Sequence, residues 1–201
     1  MGEAIRTSAR NRFIEVAARL FADRGYAATS VADIQVACGL TAGSGALYKH
    51  FSSKRQLLDA VIGTHVATMR EGSWDFAASL PVDLRSALRA IIDAVWAGMH
   101  RDRAVLRVML RDLDAFPELL NEVWVEVRTN VYEVFTEWLR AEAGRGTIAV
   151  ADPGATAAVL LASLTYYPIL DALIGHPPGD IDQQRFADAW VEHAVATLRL
   201  A

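Results

Sequence analysis

A chain of 201 residues is long enough for one or two domains with a substantial core. Its 53% hydrophobic and 22% charged content excludes fibrous, disordered and mini-protein classes. The net charge of −4 argues against indiscriminate nucleic-acid binding, but it is spread unevenly: residues 1–70 hold nine Lys and Arg against five acids, the remainder eleven against nineteen. A basic head on an acidic body suits a protein that meets phosphates at one end only. On charge alone, a solvated basic surface without a partner is the simpler reading.

Cys38 is the single cysteine, which excludes an intrachain disulfide and fits a reducing cytosol; a small buried hydrophobe or a redox switch are its two readings. The opening MGEAIRTSARNRF carries charges where a secretory leader needs an apolar run, so a cytoplasmic location is expected. Pro153 to Leu170 is uncharged, yet it contains Pro153, Gly154, Pro168 and several hydroxyl side chains and lacks basic flanks. A buried helix is expected there, with no membrane partner.

Nearly every long segment has helical periodicity and none alternates as a strand, so the fold class is all-α with about nine helices. The first helix, capped by Thr7 or Ser8, turns Phe13, Ala17, Leu20 and Phe21 to one face and ends at Gly25. Thr29 or Ser30 caps a short second helix that buries Val31, Ile34 and Cys38 and stops at Gly39. A third short helix spans about Gly45 to Phe51. Ser53 opens a fourth with Leu57, Leu58, Val61, Ile62, Val66 and Met69 inward.

Longer helices follow: one from about Val82 to His100 with Leu84, Leu88, Ile91, Ile92, Val95, Trp96 and Met99 inward, then a shorter stripe of Leu106, Met109, Leu110 and Leu113. Pro117 suits the first turn of a helix whose Leu120, Val123, Trp124, Val127, Val131, Phe135 and Trp138 point inward as far as Gly144. After a loop over 145–151, Asp152 and Pro153 start a helix apolar on most sides that reaches Ile174, with a kink expected at Pro168. The HPPGD turn at His176 to Asp180 precedes a last helix striped by Phe186, Trp190, Ala194 and Leu198.

The informative window is TSVADIQVACGLTAGSGALYKHFSSK, Thr29 to Lys54. Two short helices around a Gly39 turn, braced by a preceding helix, make a helix-turn-helix that offers the start of its second helix to the major groove. Ile34, Cys38, Leu40, Leu47 and Phe51 anchor it, leaving Ser44, Gly45, Ala46, Tyr48, Lys49 and His50 outward. Thr29 or Ser30, with Lys54, supplies phosphate donors.

In order along the chain, Phe21, Gly25, Tyr26, Thr29, Ile34, Cys38, Gly39, Leu40, Thr41, Ala46, Leu47, Tyr48, His50, Phe51, Lys54, Leu57 and Leu58 form a pattern that resembles the DNA-binding head of the TetR family of transcriptional regulators. Two departures stand out. Cys38 and Gln35 occupy positions where that family has Ala, and the interval from Gly39 to Tyr48 is nine positions rather than seven, so AGSG lengthens the turn. The resemblance implies a helix-turn-helix domain over 1–52 and an effector-binding and dimerisation domain over 53–201. It also implies contact with double-stranded operator DNA through Thr29, Ser30, Thr41, Ser44, Gly45, Ala46, Tyr48, Lys49, His50 and Lys54.

It further implies a homodimer that represses from a palindromic operator until a small hydrophobic or amphiphilic effector releases it. The expected dimer face holds Leu160, Leu161, Leu164, Phe186, Trp190 and Ala194. Trp96, Met99, His100, Met109, Leu113, Phe116, Trp124, Tyr132, Phe135, Tyr166 and Tyr167 are the candidates for an effector pocket, with core filling as the competing role; Trp74, Trp138 and Trp190 read as core. His65, His100, His176 and His193 have no metal-ligand spacing, no catalytic motif is present, and neither metal nor cofactor is expected. The alternatives are an all-α protein with a catalytic or scaffold body and no DNA target, and a DNA-binding regulator that needs no effector.

Overall fold

The computed structural model describes residues 2–72, 79–176 and 179–199; Trp74 and the two prolines of the HPPGD turn lie outside them. Among these residues every regular element is helical: α1 (Gly2–Arg24), α2 (Val31–Ala37), a 3-10 turn (Leu47–Lys49), α3 (Lys54–Gly72), α4 (Leu84–Arg101), α5 (Arg103–Asp112), a second 3-10 turn (Leu113–Ala115), α6 (Pro117–Val127), α7 (Val134–Gly144), α8 (Pro153–Ile174) and α9 (Gln183–Arg199). A π-helical stretch, Arg128–Glu133, joins α6 to α7 without a break. Such a stretch leaves no signature in hydrophobic periodicity, and it was not expected.

Contacts divide the chain into two units, Met1–Ala67 with Arg103–Val123, and Thr68–Asp102 with Trp124–Ala201. Residues 103–123 fall in the first unit because α5 packs along α1.

In the first unit Phe13, Ala17, Phe21, Ile34, Leu47, Phe51, Leu57, Leu58 and Ile62 are buried together in sequence-predicted positions. Each large side chain withdrawn from water contributes about 1.5–3 kcal/mol before chain entropy is set against it. Helix α1 starts at Gly2, so Thr7 and Ser8 lie within it rather than at its cap. It ends at Gly25, whose φ of +93° suits glycine and whose missing Cβ leaves room for the Arg111 guanidinium. From α5, Arg111 donates to the Ala22 carbonyl at 3.2 Å, and Asp112 accepts from the Tyr26 amide at 3.3 Å. Leu40 and Leu110, expected inward, are about two-fifths exposed, and Val108 is the buried residue of α5.

The second unit has one core, built by Leu88, Ile92 and Trp96 of α4, Phe135, Trp138 and Leu139 of α7, Leu160, Leu161, Leu164 and Tyr167 of α8, and Trp190, Ala194 and Leu198 of α9. Asp83 and Asp152 cap α4 and α8 by accepting from the Ser86 and Ala155 amides at 2.9 and 3.0 Å. On α6 the inward stripe differs from expectation: Leu119 and Val123 are buried, whereas Leu120 is 43% and Trp124 57% exposed. Helix α8 is the one described helix long and apolar enough to cross a membrane, and it owes that composition to a face in this core and a second apolar face outside it.

Candidate nucleic-acid interface

Ser30 caps α2 with a reciprocal pair: the Asp33 amide donates to Ser30 Oγ at 3.1 Å, and the Ser30 amide donates to the Asp33 carboxylate at 2.8 Å. The Ser30 hydroxyl, which also donates to that carboxylate, and the Ser30 amide hold the Asp33 carboxyl below its ordinary range. Ile34 and Cys38 fix the inner side of α2, the Cys38 thiol being pushed up in pKa by burial. Past Gly39 (φ +75°), residues 41–44 are all exposed.

The expected recognition helix over Gly45 to Phe51 is only the 3-10 turn Leu47–Lys49, since the lengthened turn takes up the residues that would have begun it. Leu47 and Phe51 face the core at 0% and 2% exposure, which forces the intervening Tyr48 (57% exposed) and Lys49 outward. Thr41 and Ser44 are exposed, Gly45 and Ala46 half-buried, and the half-buried His50 ring rests 5.7 Å from that of Phe13. Thr41, Ser44, Tyr48 and Lys49 are therefore accessible, with the half-buried Gly45 and Ala46 between them in the chain.

Two expected phosphate donors have other partners. Thr29 is fully buried, and its hydroxyl donates to the carbonyls of Gly25 at 2.8 Å and Leu20 at 3.3 Å, so it ties α1 to α2 rather than facing solvent. The Lys54 ammonium donates to the Tyr26 and Thr29 carbonyls at 2.8 and 2.9 Å and lies 4.2 Å from the Tyr26 ring centroid. In both cases a side-chain donor is taken up by backbone carbonyls at or near the turn from Gly25 to Ser30, one of which, that of Tyr26, also accepts from the Thr29 amide at 3.3 Å. Ser30 remains exposed, its hydroxyl engaged with Asp33.

In the sequence Gln35 stands out only as a departure from the Ala of the family pattern. It is 1% exposed, and its Oε1 accepts from the Gly43 amide at 2.9 Å inside the lengthened turn. The signal was present as two separate anomalies, a polar residue at a small-residue position and two extra turn residues.

The effector candidates fall in both units. Met109, Leu113 and Phe116 belong to the first unit, where Leu113 is buried and the Phe116 ring lies edge-on to Tyr26 at 5.0 Å, with the Arg55 guanidinium 4.5 Å from it. In the second unit Trp96 stacks on Tyr167 at 5.2 Å, Phe186 packs on both, and the Trp96 indole N–H donates to the Leu164 carbonyl at 2.7 Å. Trp96, Tyr167 and Phe135 are thus core. Met99 and Tyr132 are half-buried, and His100, Trp124 and Tyr166 are exposed. An open groove of about 460 Å³ along α4 and α9 contains none of them; its Arg85 and Arg89 pair with Glu192 and Asp188.

The expected dimer residues are corrected likewise. Leu160, Leu161, Leu164, Trp190 and Ala194 are each at most 6% exposed, and the half-buried Phe186 packs on the same core. A helix apolar all round does not reveal which stripe its own chain covers. The uncovered stripe of α8 is Ala155, Val159, Ala162, Tyr166 and Leu173, with Val159 68% and Tyr166 50% exposed.

Comparison with known proteins agrees with this geometry. Residues 13–61 match the model of bacterial regulatory proteins of the tetR family, and residues 86–200 match that of the C-terminal domain of AefR-like transcriptional repressors. The transcriptional repressor KstR2 of Rhodococcus jostii is 30% identical over 99 residues, which cover 49% of this chain and 47% of the repressor; the match thus spans about half the length of that relative. A TetR-family regulator from Mesorhizobium loti superposes with a TM-score of 0.74 at 20% identity, over 97% of this chain and 98% of its own. AibR, solved with isovaleryl coenzyme A and operator DNA, superposes with a TM-score of 0.65 at 24% identity, over 92% of this chain and 97% of its own. With family models covering the helix-turn-helix and most of the remaining chain, and the same fold along its whole length, the protein belongs to the TetR family of bacterial regulators.

Proposed function

We propose that the protein is a transcriptional repressor that binds a palindromic operator as a homodimer and is released from it by a small hydrophobic or amphiphilic molecule. The observation that carries this reading is the strip Thr41 to Lys49, held outward by buried Leu47 and Phe51 next to a capped α2. Tyr48 offers a ring and a hydroxyl, Lys49 a phosphate partner, and the small residues 43–46 let backbone approach base edges.

The uncovered stripe of α8, centred on Val159, Ala162 and Tyr166, is assigned as the dimer face, where a second copy would bury the apolar surface a lone chain leaves wet. Two such heads would meet half-sites about 34 Å apart. The binding of isovaleryl coenzyme A and operator DNA by AibR, which shares the fold, supports an acyl-bearing effector. The half-buried Met99 and Tyr132 of the second unit are the side chains still available to it. Helix α3 starts in the first unit and ends in the second, so a population shift favouring one setting of that helix would link effector to DNA.

Selection of bound fragments from a random DNA library, followed by gel shifts, tests the reading. Tyr48→Ala and Lys49→Ala should each weaken the selected complex about tenfold without changing Tm. Wild-type affinity in both variants refutes it. Thermal-shift titration with short acyl thioesters tests the effector, and stabilisation without release from DNA refutes that part alone.

A further inference from the structure

We infer that Gln35 is a specificity-determining positioning residue, whose buried amide pins the lengthened turn and so sets which bases the strip from Ser44 to Lys49 reads. The inference rests on the DNA-binding reading above. One residue holds the turn at two points: the Gln35 carbonyl accepts from the Leu40 amide at 2.9 Å, and its side-chain Oε1 accepts from the Gly43 amide, also at 2.9 Å. The side chain has one workable orientation, because only the oxygen can accept from an N–H.

Its Nε2 is then buried without an acceptor, an arrangement that an apolar side chain of equal size would avoid at the expense of the Gly43 bond. The other hydrogen bonds of residues 41–44 are local, from the Ser44 amide to the Thr41 carbonyl at 3.2 Å and from the Ala46 amide to Ser44 Oγ at 3.4 Å. Gly43 and Gly45 adopt φ of +73° and +67° with open space where a Cβ would stand, so packing does not hold them. An alanine at position 35 could not reach Gly43, and a turn two residues shorter would not need the anchor. The two departures from the family pattern are one device. Successive base pairs are about 3.4 Å apart along the duplex, so a turn free to shift by that much reads the neighbouring base.

The test uses the full chain and three variants. Gln35→Met keeps length and loses the acceptor; Gln35→Glu keeps an acceptor oxygen; Gln35→Ala with residues 43 and 44 deleted removes anchor and insertion together. Amide exchange at Gly43, fragment selection from random DNA, and affinities for the selected site and its single-base variants are measured. Gln35→Met should speed Gly43 exchange and flatten single-base discrimination about tenfold, with little change in binding to random DNA. Gln35→Glu should retain the selected motif at uniformly lower affinity, and the shortened variant should bind a different motif.

An unchanged motif and unchanged discrimination in Gln35→Met overturn the inference and leave the regulator reading intact. A wild-type chain that selects no DNA overturns both. If Gln35→Met fails to fold, the shortened variant decides: a changed motif supports the inference, and the wild-type motif overturns it.

Discussion

Replacing Lys54 with Met separates two roles for one ammonium group. The substitution keeps the aliphatic stem and removes the bonds to the Tyr26 and Thr29 carbonyls, together with the charge 4.2 Å from the Tyr26 ring centroid. A hydrogen bond to a charged group contributes about 1.5–3 kcal/mol net, and a cation over an aromatic face about 0.5–1 kcal/mol at an exposed site. Lys54 is half-buried and the freed carbonyls can take water, so the lower ends apply, and two bonds with one ring contact come to about 3.5 kcal/mol. In a chain of this length each kcal/mol moves Tm by about 2–4 °C, giving a fall of about 7–14 °C. Calorimetry measures that fall, and DNA titrations over a range of salt measure the other role. A brace weakens the complex and leaves the slope of log K against log salt unchanged; a phosphate donor lowers that slope by about one contact. A variant with Tm within about 1 °C of wild type and a reduced salt slope would refute the brace.

The dimer assignment separates the two faces of α8: Tyr166→Asp or Val159→Glu should give a folded monomer by sedimentation, whereas Leu164→Asp, at a position with no exposure, should not fold. A dimer that persists in the Val159 and Tyr166 variants refutes the assigned face. Acid should destabilise the chain through Asp33, Glu118 and Glu126, whose carboxyls are held low by Ser30, Arg55 and Arg70 respectively. Because native values lie below unfolded ones, stability is full above the ordinary carboxylate range near pH 4 and falls as pH drops through the lowered native values. Ser30→Ala should lower Tm by about 2–4 °C at neutral pH and shrink that acid loss; an acid limb of wild-type size would count against the capping pair.

The parts of the fold legible in the sequence are those where a residue answers to its own neighbourhood. Gly25 after Phe21, Thr29 or Ser30 before Val31, and Asp152 before Pro153 mark helix ends by local chemistry; Ser30 is the one of its pair that caps α2, and Asp152 caps α8. Inward stripes on α1, α3 and α4 were legible because each has one apolar side. Helix α8 has two, so composition could not say which faces its own core, and the stripe expected to meet a partner, Leu160, Leu161 and Leu164, is the one that core covers. Lys54 and Thr29 illustrate a different limit. A donor near a helix start reads as a phosphate ligand until its carbonyl partners are placed, and those lie up to 28 positions away along the chain. Gln35 and the AGSG insertion were both visible, but the bond between Oε1 and the Gly43 amide makes sense of either only when both are placed.

Trp96 shows how such a long-range pairing can be tested. Pro168 lies inside α8 and has no N–H, so it cannot supply the bond that the Leu164 carbonyl would ordinarily receive four residues on. The Trp96 indole N–H donates to that same carbonyl at 2.7 Å, in surroundings where Trp96 is 2% and Leu164 0% exposed. Water cannot substitute there, so Trp96→Phe leaves a buried acceptor unpaired as well as reducing contact with Tyr167. The unpaired carbonyl alone is worth about 1–3 kcal/mol. With Pro168→Ala as background, the Ala amide can reach Leu164, and the same Trp96→Phe change should lose about 1–2 kcal/mol less. Urea denaturation of the four proteins measures the coupling; additivity within about 0.5 kcal/mol refutes the shared carbonyl. An indole committed to the backbone has no N–H left to orient an effector. Trp96→Phe should therefore lower stability while leaving the effector concentration for half-release from DNA unchanged, and a shift in that concentration would return Trp96 to the pocket.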